Sequence, residues 1–270
     1  MKVAGKTVAV TGGGNGIGRE LVLALLQRGA RVAALDRSAD GLDRTSELAG
    51  AGERLSTHVV DITDRDAVEA LPEAIRAAHG QVDGVVNCAG VIQPFMKLVD
   101  LDYAQIERVM NVNFWGLMNV TKTFLPHLLA RPVAHIVNVS SMGGFLPVPG
   151  QTVYGASKAA VKLLTEGLHS ELVGTPVAVT VVFPGAVGTN ITANSGVAAP
   201  SISPEQRTEA EKKHPTLPPA EAARIIVDAM ERDAYRVTVG KDATTMDRFA
   251  RLSPRRAASL IQKNMKDLLG

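Results

Sequence analysis

Hydrophobic and polar residues alternate along this chain in two repeating patterns. Short runs of valine, isoleucine and alanine predict buried β-strands, whereas apolar residues spaced three and four positions apart predict the helices between them. The strands are predicted at residues 7–10, 31–35, 59–61, 82–86, 134–139, 177–183 and 235–240. The long helices are predicted at residues 102–129, 153–172 and 221–232, the first of them broken at Gly116 and Pro126.

The order of these elements predicts the fold class. Strands separated by helices of this length pair in parallel through right-handed crossovers. We therefore expect an α/β fold with a single Rossmann-like, doubly wound parallel sheet and helices on both faces. Ligands of such sheets bind beyond the carboxyl ends of the strands. Candidate residues stand at those ends, namely Gly12, Asp36, Asp61, Asn87, Ser141 and Pro184.

The chain has 270 residues, 46% of them hydrophobic, which is enough to bury the core of one domain. We expect a single dinucleotide-binding catalytic domain over residues 1–270, with two additions. Small residues, a charged run and prolines between about 190 and 218 indicate a substrate lid, because a further helix and strand follow them. A helical tail is expected over about 242–270, with an apolar side formed by Ala257, Leu260, Ile261, Met265 and Leu268.

The charge balance and the cysteine count exclude several classes of protein. With 29 basic and 27 acidic residues the net charge is +2, which gives no electrostatic footprint for nucleic acid or an anionic membrane. The single cysteine excludes an intrachain disulfide, and the six histidines show no metal-ligand spacing, so no metal is expected. There is no signal region and no run of roughly 20 apolar residues, so we expect a cytoplasmic protein.

A glycine-rich turn joins the first predicted strand to the helix after it. Residues 11–18 read Thr-Gly-Gly-Gly-Asn-Gly-Ile-Gly, a spacing that differs from the G-x-G-x-x-G of the commonest dinucleotide fold. Glycines let the backbone approach a pyrophosphate closely, and the helix offers free N–H groups and its positive dipole end. Chain reversal alone would also explain such a turn, so its function depends on the residues that follow.

The residues that end the second and third strands indicate which dinucleotide binds. A carboxylate at Asp36 can accept both adenosine ribose hydroxyls and would repel a 2′-phosphate, and Asn15 carries no charge to attract one. A guanidinium at Arg37 can reach a 2′-phosphate, although we favour a solvated surface arginine. Asp61 can accept from the adenine amino group or serve as an acid near a helix N-terminus. We therefore expect NAD, with NADP the less favoured cofactor.

Tyr154 and Lys158 are the candidate catalytic pair. They are four positions apart near the start of a predicted helix and share a face, so the ammonium can lie near the phenol. The pKa of a free tyrosine is ~10, and a lysine cation and an oxidised nicotinamide nearby would both lower it. Such a pair alone is weak, but this one lies thirteen residues after Ser141, which ends a strand.

These motifs together resemble the short-chain dehydrogenase/reductase family, in its compact single-domain subclass. The matching pieces follow family order and spacing over residues 5–190, namely Thr11-Gly12-x-x-x-Gly16-x-Gly18, Asp61, Asn87-Cys88-Ala89-Gly90, Asn113, Ser141, Tyr154-x-x-x-Lys158 and Pro184-Gly185 with Thr189. Cys88 stands where the family commonly has a second asparagine, and we interpret it as a small buried residue rather than a nucleophile.

The resemblance implies a role for each matching residue. Tyr154 would exchange a proton with the substrate oxygen, Lys158 would lower the tyrosine pKa and hold the nicotinamide ribose, and Ser141 would orient the substrate oxygen. Asn113 would complete the catalytic set by positioning a water that links Lys158 to solvent. The cofactor would contact Gly12, Asn15, Gly16, Ile17, Gly18, Asp36, Arg37, Asp61, Ile62, Asn87, Ala89, Gly90, Tyr154, Lys158, Pro184, Gly185, Val187 and Thr189.

The expected function is an NAD-dependent oxidoreductase that interconverts a secondary alcohol and its ketone by hydride transfer. An NADPH-preferring carbonyl reductase is one alternative. A dinucleotide-sensing protein without turnover is another, although such proteins typically lose the tyrosine or the lysine, and both are present here. The four-residue step from Tyr154 to Lys158 favours carbonyl chemistry over reduction of a C=C bond.

The substrate is expected to be a hydrophobic small molecule. The candidate pocket residues are mostly apolar, namely Val91, Phe95, Met96, Gly143, Phe145, Leu146, Val148, Gln151 and residues 190–216. The family resemblance further implies a homo-oligomer, either a tetramer or a dimer. The apolar surface on the long helices at 102–129 and 153–172 fits that expectation, because it exceeds what one sheet face needs.

Overall fold

The computed structural model describes residues 1–197 and 216–265. The strands in this part of the chain are Thr7–Thr11 (β1), Arg31–Asp36 (β2), Leu55–Val59 (β3), Gly84–Asn87 (β4), Ala134–Val139 (β5), Val177–Pro184 (β6) and Arg236–Val239 (β7). The helices are Gly16–Gln27 (α1), Ala39–Ala49 (α2), Arg65–Glu69 (α3), Leu71–His79 (α4), Tyr103–Met110 (α5), Leu117–Leu129 (α6), Thr152–Glu171 (α7), Ile191–Asn194 (α8), Pro219–Glu231 (α9), Lys241–Leu252 (α10) and Pro254–Asn264 (α11).

The strands form one sheet in the order β3-β2-β1-β4-β5-β6-β7, and every neighbouring pair is parallel. Thr11, the last residue of β1, lies opposite Leu35 of β2 on one side and Asn87 of β4 on the other. This register brings the carboxyl ends of the central strands to one edge of the sheet. The predicted α/β fold, a Rossmann-like parallel sheet, is therefore confirmed.

Apolar side chains are buried on both faces of the sheet. On one face, Leu21 of α1 and Ile226 of α9 pack with the valines of β1 and β2. On the other face, Phe124 of α6 and Leu168 of α7 pack with apolar residues of the central strands. Covering both faces with helices excludes water from the valine-rich strands, which explains why these strands are continuous apolar runs.

The helix predicted over 102–129 is not broken where expected. Helices α5 and α6 are joined by a π-helical turn, Asn111–Gly116, so the chain remains helical past Gly116. Pro126 lies inside α6 on its exposed side, where the carbonyl that loses its hydrogen bond can face water. Gly116 is needed for packing, because a β-carbon there would lie 2.6 Å from Cγ1 of Ile62.

The third strand and the tail also differ from the prediction. Strand β3 ends at Val59 instead of beginning there, because it is an edge strand whose residues are only partly covered. The tail forms two helices, α10 and α11, and Leu260 on the predicted apolar side is 40% exposed. Leu268 and residues 198–215 of the predicted lid lie outside the described residues.

Candidate active site

A cavity of about 460 Å³ opens at the carboxyl ends of the strands, where the chain order reverses between β1 and β4. Open α/β sheets bind their ligands at this switch point. The structure brings most of the predicted site residues to the cavity wall, namely Gly12, Asn15, Gly16, Ile17, Gly18, Asp36, Arg37, Asp61, Ile62, Ala89, Gly90, Ser141, Tyr154, Lys158, Pro184, Gly185, Val187 and Thr189. Two predicted residues, Asn87 and Asn113, lie behind the wall.

Asn87 is buried at the end of β4. Its amide nitrogen donates to Oδ1 of Asn138, 2.8 Å away, and to Oγ1 of Thr121, 3.0 Å away. The side chain therefore fastens β4 to β5 and to α6. It supports the loop at Ala89 and Gly90, which does line the cavity.

The glycine turn brings the backbone close to the space above β1. A β-carbon on Gly18 would overlap the carbonyl oxygen of Gly12, and one on Gly12 would lie 3.0 Å from Cα of Ala89. Within this described turn, no side chain caps the first N–H groups of α1, and its first turn carries no acidic residue. These features fit the pyrophosphate of a dinucleotide, because free helix N–H groups and the helix dipole attract anions.

The acidic end of the cavity is ordered by hydrogen bonds. The Asp36 carboxylate accepts from the backbone N–H groups of Gly14, at 2.9 Å, and of Ser38, at 3.0 Å. Neighbouring Arg37 donates to the backbone oxygen of Asn194, 3.3 Å away, and the Asn194 amide donates to Oδ1 of Asn15 at 2.6 Å. The Asp36 carboxylate is thus held in place beside the glycine turn, as ribose recognition requires.

Tyr154, Lys158 and Ser141 meet at the opposite end of the cavity. Ser141 lies two residues after the end of β5, and its hydroxyl is close enough to the Tyr154 phenol to favour the deprotonated form. The Lys158 ammonium lies 6.0 Å from the centre of the Tyr154 ring and donates to the backbone oxygen of Val139 at 3.0 Å. The helical spacing of four therefore places the phenol and the ammonium on one side of the cavity, as expected.

Burial determines the titration of these groups. It raises the pKa of the Tyr154 phenol, while the hydrogen bond from Ser141 acts in the opposite direction. Burial also lowers the pKa of Lys158 to about 8 and raises the pKa of the Cys88 thiol to about 12. Burial therefore opposes the lowering of the Tyr154 pKa that a lysine cation and an oxidised nicotinamide would produce, and it keeps the Cys88 thiol protonated near neutral pH.

Asn113 lies in the π-helical turn and uses its amide inside the protein. Its oxygen accepts from the backbone N–H of Val91 at 2.8 Å, and its nitrogen donates to the Val91 oxygen and to Oγ of Ser157, both at 2.9 Å. Ser157 in turn donates to the backbone oxygen of Tyr154 at 2.7 Å. Asn113 therefore connects the loop after β4 to the first turn of α7, and its water-positioning role stays a prediction.

Gln93 is a positioning residue that the sequence did not reveal. It is fully buried, and its side-chain oxygen accepts from the backbone N–H groups of Val153, at 2.8 Å, and Tyr154, at 3.0 Å. Free N–H groups at a helix start need such a partner. Gln93 thus caps α7 from 60 residues away, and no local spacing in the sequence marks this contact.

Comparisons with known proteins identify the family. The model of the short chain dehydrogenase family matches residues 6–199. The chain is 40% identical over 255 residues to the oxidoreductase SadH of Mycobacterium tuberculosis, covering 92% of this chain and 91% of that protein. It is 35% identical over 249 residues to 1-deoxy-11-beta-hydroxypentalenate dehydrogenase of Streptomyces avermitilis, covering 91% and 88%.

The chain belongs to the short-chain dehydrogenase/reductase family. Its fold matches a member from Burkholderia phymatum in complex with NAD, with a TM-score of 0.84, 25% identity and coverage of 95% of this chain and 96% of that one. It also matches a member from Burkholderia cenocepacia in complex with NADP, with a TM-score of 0.78, 28% identity and coverage of 97% and 99%. This short-chain dehydrogenase is an oxidoreductase of a family that uses NAD(P).

The wall beyond Tyr154 in this dehydrogenase is mostly apolar. Five of the residues named individually as expected pocket residues line it, namely Val91, Phe95, Gly143, Val148 and Gln151, and so does Ile191 from the expected segment 190–216. The unpredicted Val112, Met142 and Met265 line it as well. Three expected residues do not. Met96 packs against the apolar cluster around Val109, Phe145 packs edge-on against Phe183 with ring centres 5.4 Å apart, and Leu146 is buried.

Helix α8 spans the cavity between its two ends. Besides the contacts of Asn194 with Asn15 and Arg37, the buried Ser195 hydroxyl accepts from the backbone N–H of Ile92 at 3.0 Å. Arg108 of α5 donates to the Ser195 backbone oxygen at 2.6 Å. These bonds hold residues 191–195 across the cleft, and Ile191, Thr192 and Asn194 line it.

Two other features are absent from the described part of the chain. No helix within residues 1–197 and 216–265 is both long and apolar enough to cross a bilayer. In the same part of the chain, no three His, Cys, Asp or Glu side chains come together in a way that could hold a metal ion.

Proposed function

We propose that this dehydrogenase interconverts a hydrophobic secondary alcohol and its ketone, with NAD as the cofactor and Tyr154 as the general acid/base. The observation that carries the proposal is the shared cavity, which has the Asp36 carboxylate at one end and the Tyr154, Ser141 and Lys158 side chains at the other. A dinucleotide and a small alcohol would fit this arrangement end to end.

In the oxidation direction, bound NAD⁺ supplies the hydride acceptor and a positive charge beside the phenol. Ser141 would donate a hydrogen bond to the substrate oxygen and hold it near the phenol. Tyr154, as phenolate, would take the hydroxyl proton while the C–H electron pair leaves with the hydride and the carbon–oxygen double bond forms. Lys158 would bind the nicotinamide ribose, in a position fixed by its hydrogen bond to the backbone oxygen of Val139.

The raised pKa of Tyr154 has a consequence for the rate. Because the phenolate is the base for alcohol oxidation, and burial raises its pKa, oxidation should accelerate as the pH rises from neutral to alkaline. Ketone reduction needs the protonated phenol, which predominates below its raised pKa, so the reduction rate should stay nearly level over the same range. A rising profile for oxidation beside a level one for reduction would support the assignment, whereas parallel profiles would oppose it.

The decisive experiment replaces the phenol alone. Tyr154→Phe should lower kcat by roughly 10²–10⁴-fold, because it removes the proton-transfer group and keeps the ring. NAD⁺ affinity, measured by calorimetry, should change little. Tyr103→Phe is the matched control, because Tyr103 is 80% exposed on α5 and does not line the cavity. A loss of only a few-fold in the Tyr154 variant would contradict the proposal, and a wild-type protein that binds NAD⁺ without turnover would indicate a sensor.

NAD is favoured over NADP because the Asp36 carboxylate would repel a 2′-phosphate. Arg37 supports the alternative, an NADPH-preferring carbonyl reductase, because it lines the same end of the cavity. Its guanidinium already donates to the Asn194 backbone, which reduces its availability for a phosphate. The ratio of kcat/KM for NAD⁺ and NADP⁺ decides between them.

The hydrophobic substrate class rests on the apolar wall beyond Tyr154 and on the relative whose name describes a dehydrogenase of hydroxypentalenate. A homo-oligomer remains part of the proposal. Large apolar side chains on the outer surface of α5, the π-helical turn and α7 support it, namely Tyr103 at 80% exposed, Trp115 at 51% and Leu163 at 69%. Light scattering at micromolar concentration should give a mass of at least two chains.

A further inference from the structure

The C-terminal helices reach back to the active site. Helix α10 follows β7, and the carboxylate of Asp242 in its first turn accepts from the backbone N–H of Ala186 at 2.7 Å. Gly185, beside Ala186, has no room for a β-carbon, because it would overlap that carboxylate. The loop Pro184–Ala186 lines the cavity, so α10 begins in direct contact with the active-site wall.

Further contacts fix the orientation of α10. Asp247 in its middle pairs with Arg236 of β7, whose guanidinium lies 4.1 Å from the ring centre of Phe183. The Phe183 ring packs edge-on against that of Phe145, which follows the turn after Ser141. An arginine that is paired and stacked on an aromatic ring is strongly oriented. Helix α10 is therefore anchored to the same strand ends that carry the catalytic residues.

Helix α11 packs against α10, and the residue directly after it, Met265, lies at the cavity wall. Ala257 is fully buried, and Ile261 and Met265 follow it at intervals of four, so the three residues lie on one side of the helix. Leu260 lies off this side and is 40% exposed. Met265, directly after the helix, lines the cavity that also contains Tyr154 and Ser141.

We propose that Met265 is a specificity-determining residue, whose side chain contacts the part of the substrate farthest from the reacting carbon. The inference rests on the proposed function, because it assumes an alcohol oxidised at Tyr154. A methionine suits this position, since its unbranched, polarisable side chain adapts to apolar groups of different shape. This role narrows the expected substrates to secondary alcohols or ketones whose apolar portion is long enough to reach α11.

The first test measures how the rate depends on substrate length. Wild-type enzyme is assayed with NAD⁺ and a homologous series of unbranched secondary alcohols of four to ten carbons. One methylene in an apolar pocket is worth roughly 10-fold or more in kcat/KM. In Met265→Ala, the ratio of kcat/KM for the ten-carbon and four-carbon alcohols should therefore fall by roughly 10-fold. Leu260→Ala, the control on the exposed side of α11, should keep the wild-type ratio.

The second test does not depend on turnover. Met265→Cys introduces a thiol into a chain whose single cysteine, Cys88, has its pKa raised to about 12 by burial, so Cys88 should label more slowly than an exposed thiol. Labelling of the new thiol by a maleimide should slow several-fold when NAD⁺ and the ten-carbon ketone, a non-reacting pair, are bound. The wild-type protein shows how much label Cys88 takes up. The Leu260→Cys variant should be labelled at the same rate whether or not NAD⁺ and the ten-carbon ketone are bound.

The outcomes separate the two proposals. Calorimetry on the wild-type protein first establishes whether NAD⁺ and the ten-carbon ketone bind together. If they do not bind and no alcohol is oxidised, the proposed function fails and this inference with it. If they bind but the thiol of the Met265→Cys variant is not protected, or if Met265→Ala and Leu260→Ala give equal ratios, the role of Met265 is overturned while the proposed function stands.

Discussion

The two ends of the cavity are built in different ways. The cofactor half, by which we mean the lining between Gly12 and Gly90, is formed largely by backbone at the ends of β1, β2 and β4 and by the glycine turn. The substrate half, the lining between Val91 and Met265, is formed by side chains from segments far apart in the chain. Hydrogen bonds between residues far apart in the sequence, such as those of Gln93 with the start of α7, connect the segments of the substrate half.

This difference explains why a family can keep its cofactor and change its substrate. Backbone recognition of a pyrophosphate tolerates few changes, because each glycine contact is limited by sterics. Apolar side chains in the substrate half can be exchanged without moving the strands beneath them. Substitutions in the two halves should therefore have effects of different kinds as well as sizes.

The largest effect we expect in the substrate half comes from Gln93. Gln93→Leu leaves the backbone N–H groups of Val153 and Tyr154 without their acceptor, so the start of α7 should shift. A displacement of ~1 Å at a catalytic group can lower the rate roughly 10²-fold, and we expect a loss of that size in kcat/KM. NAD⁺ affinity, measured by calorimetry, should fall less than kcat/KM, because only Tyr154 and Lys158 among the expected cofactor contacts lie on α7.

Gln93→Glu is the matched rescue variant. A carboxylate at position 93 still accepts from both N–H groups, and a negative charge is favoured at a helix N-terminus. The substitution breaks no hydrogen bond of the Gln93 amide nitrogen, because this atom has no partner among the described residues. It should recover most of the activity. If Gln93→Glu were as impaired as Gln93→Leu, capping of α7 would not be the function of this side chain.

The cofactor half should respond most to a methyl group on the glycine turn. Gly18→Ala would force a side chain against the Gly12 carbonyl, and overpacking of this kind lowers the free energy of unfolding by about 1–3 kcal/mol. Because the turn itself moves, NAD⁺ affinity should fall as well. Denaturant unfolding and calorimetry measure the two effects.

Gly167→Ala in α7 is the control for this substitution. Nothing lies within 4 Å of a β-carbon there, so alanine should raise the free energy of unfolding by about 0.4–1 kcal/mol. Equal destabilisation by both substitutions would mean that the turn is no more constrained than an ordinary helix position, and the comparison between the halves would lose its basis.

The same contrast explains what the sequence could predict. The sheet, its parallel order and the residues at its carboxyl edge follow from local patterns, so most of the residues predicted to contact the cofactor do line the cavity, whereas Asn87 is buried behind its wall. Gln93, Asp242 and Met265 were not predicted as parts of the site. Their contacts join segments 50 or more residues apart, so no motif with a fixed spacing marks them in the sequence.

Errors in the substrate half have the same origin. Phe145 and Leu146 follow Ser141 closely in sequence, but the turn Met142–Gly144 directs Phe145 towards Phe183 and buries Leu146. Proximity along the chain does not determine which side of a turn a side chain occupies. The raised pKa of Tyr154 was also unexpected, because helical spacing gives the distance to Lys158 and says nothing about burial.

A smaller effect should distinguish the cofactors. Asp36→Ala removes a charged acceptor for the ribose hydroxyls, and we expect kcat/KM with NAD⁺ to fall roughly 10-fold, as hydrogen bonds to charged groups are worth about 1.5–3 kcal/mol. Activity with NADP⁺ should rise, since the repulsion is gone. Asp36→Asn keeps an acceptor without the charge and should lose less with NAD⁺. An unchanged ratio of the two cofactors in both variants would mean that Asp36 does not select between them.

The smallest effect concerns stability at β3, the edge strand of the sheet, whose histidine cluster does not line the cavity. The Ser56 hydroxyl on β3 lies 2.9 Å from Nε2 of His58 and 2.9 Å from Nε2 of His79. Burial, and the charge of His79 on its neighbour, lower the pKa of His58, and burial followed by the charge of Arg31 lowers that of His79. Groups that bind protons more weakly when folded favour unfolding as the pH falls.

The sign and size of this effect can be checked directly. Stability from the two histidines is fully present above the unfolded pKa of ~6.5 and is lost as the pH falls below it. We expect Tm at pH 5.5 to be lower than at pH 7.5 by on the order of 2–4 °C. His58→Gln should make this difference smaller, because it removes one of the histidines whose pKa is lowered by burial, while His79 and His135, whose pKa is lowered to about 4, remain. Met265→Ala, in the substrate half, should leave the difference unchanged. If His58→Gln left it unchanged too, the edge of β3 would not be the pH-sensitive part of the fold.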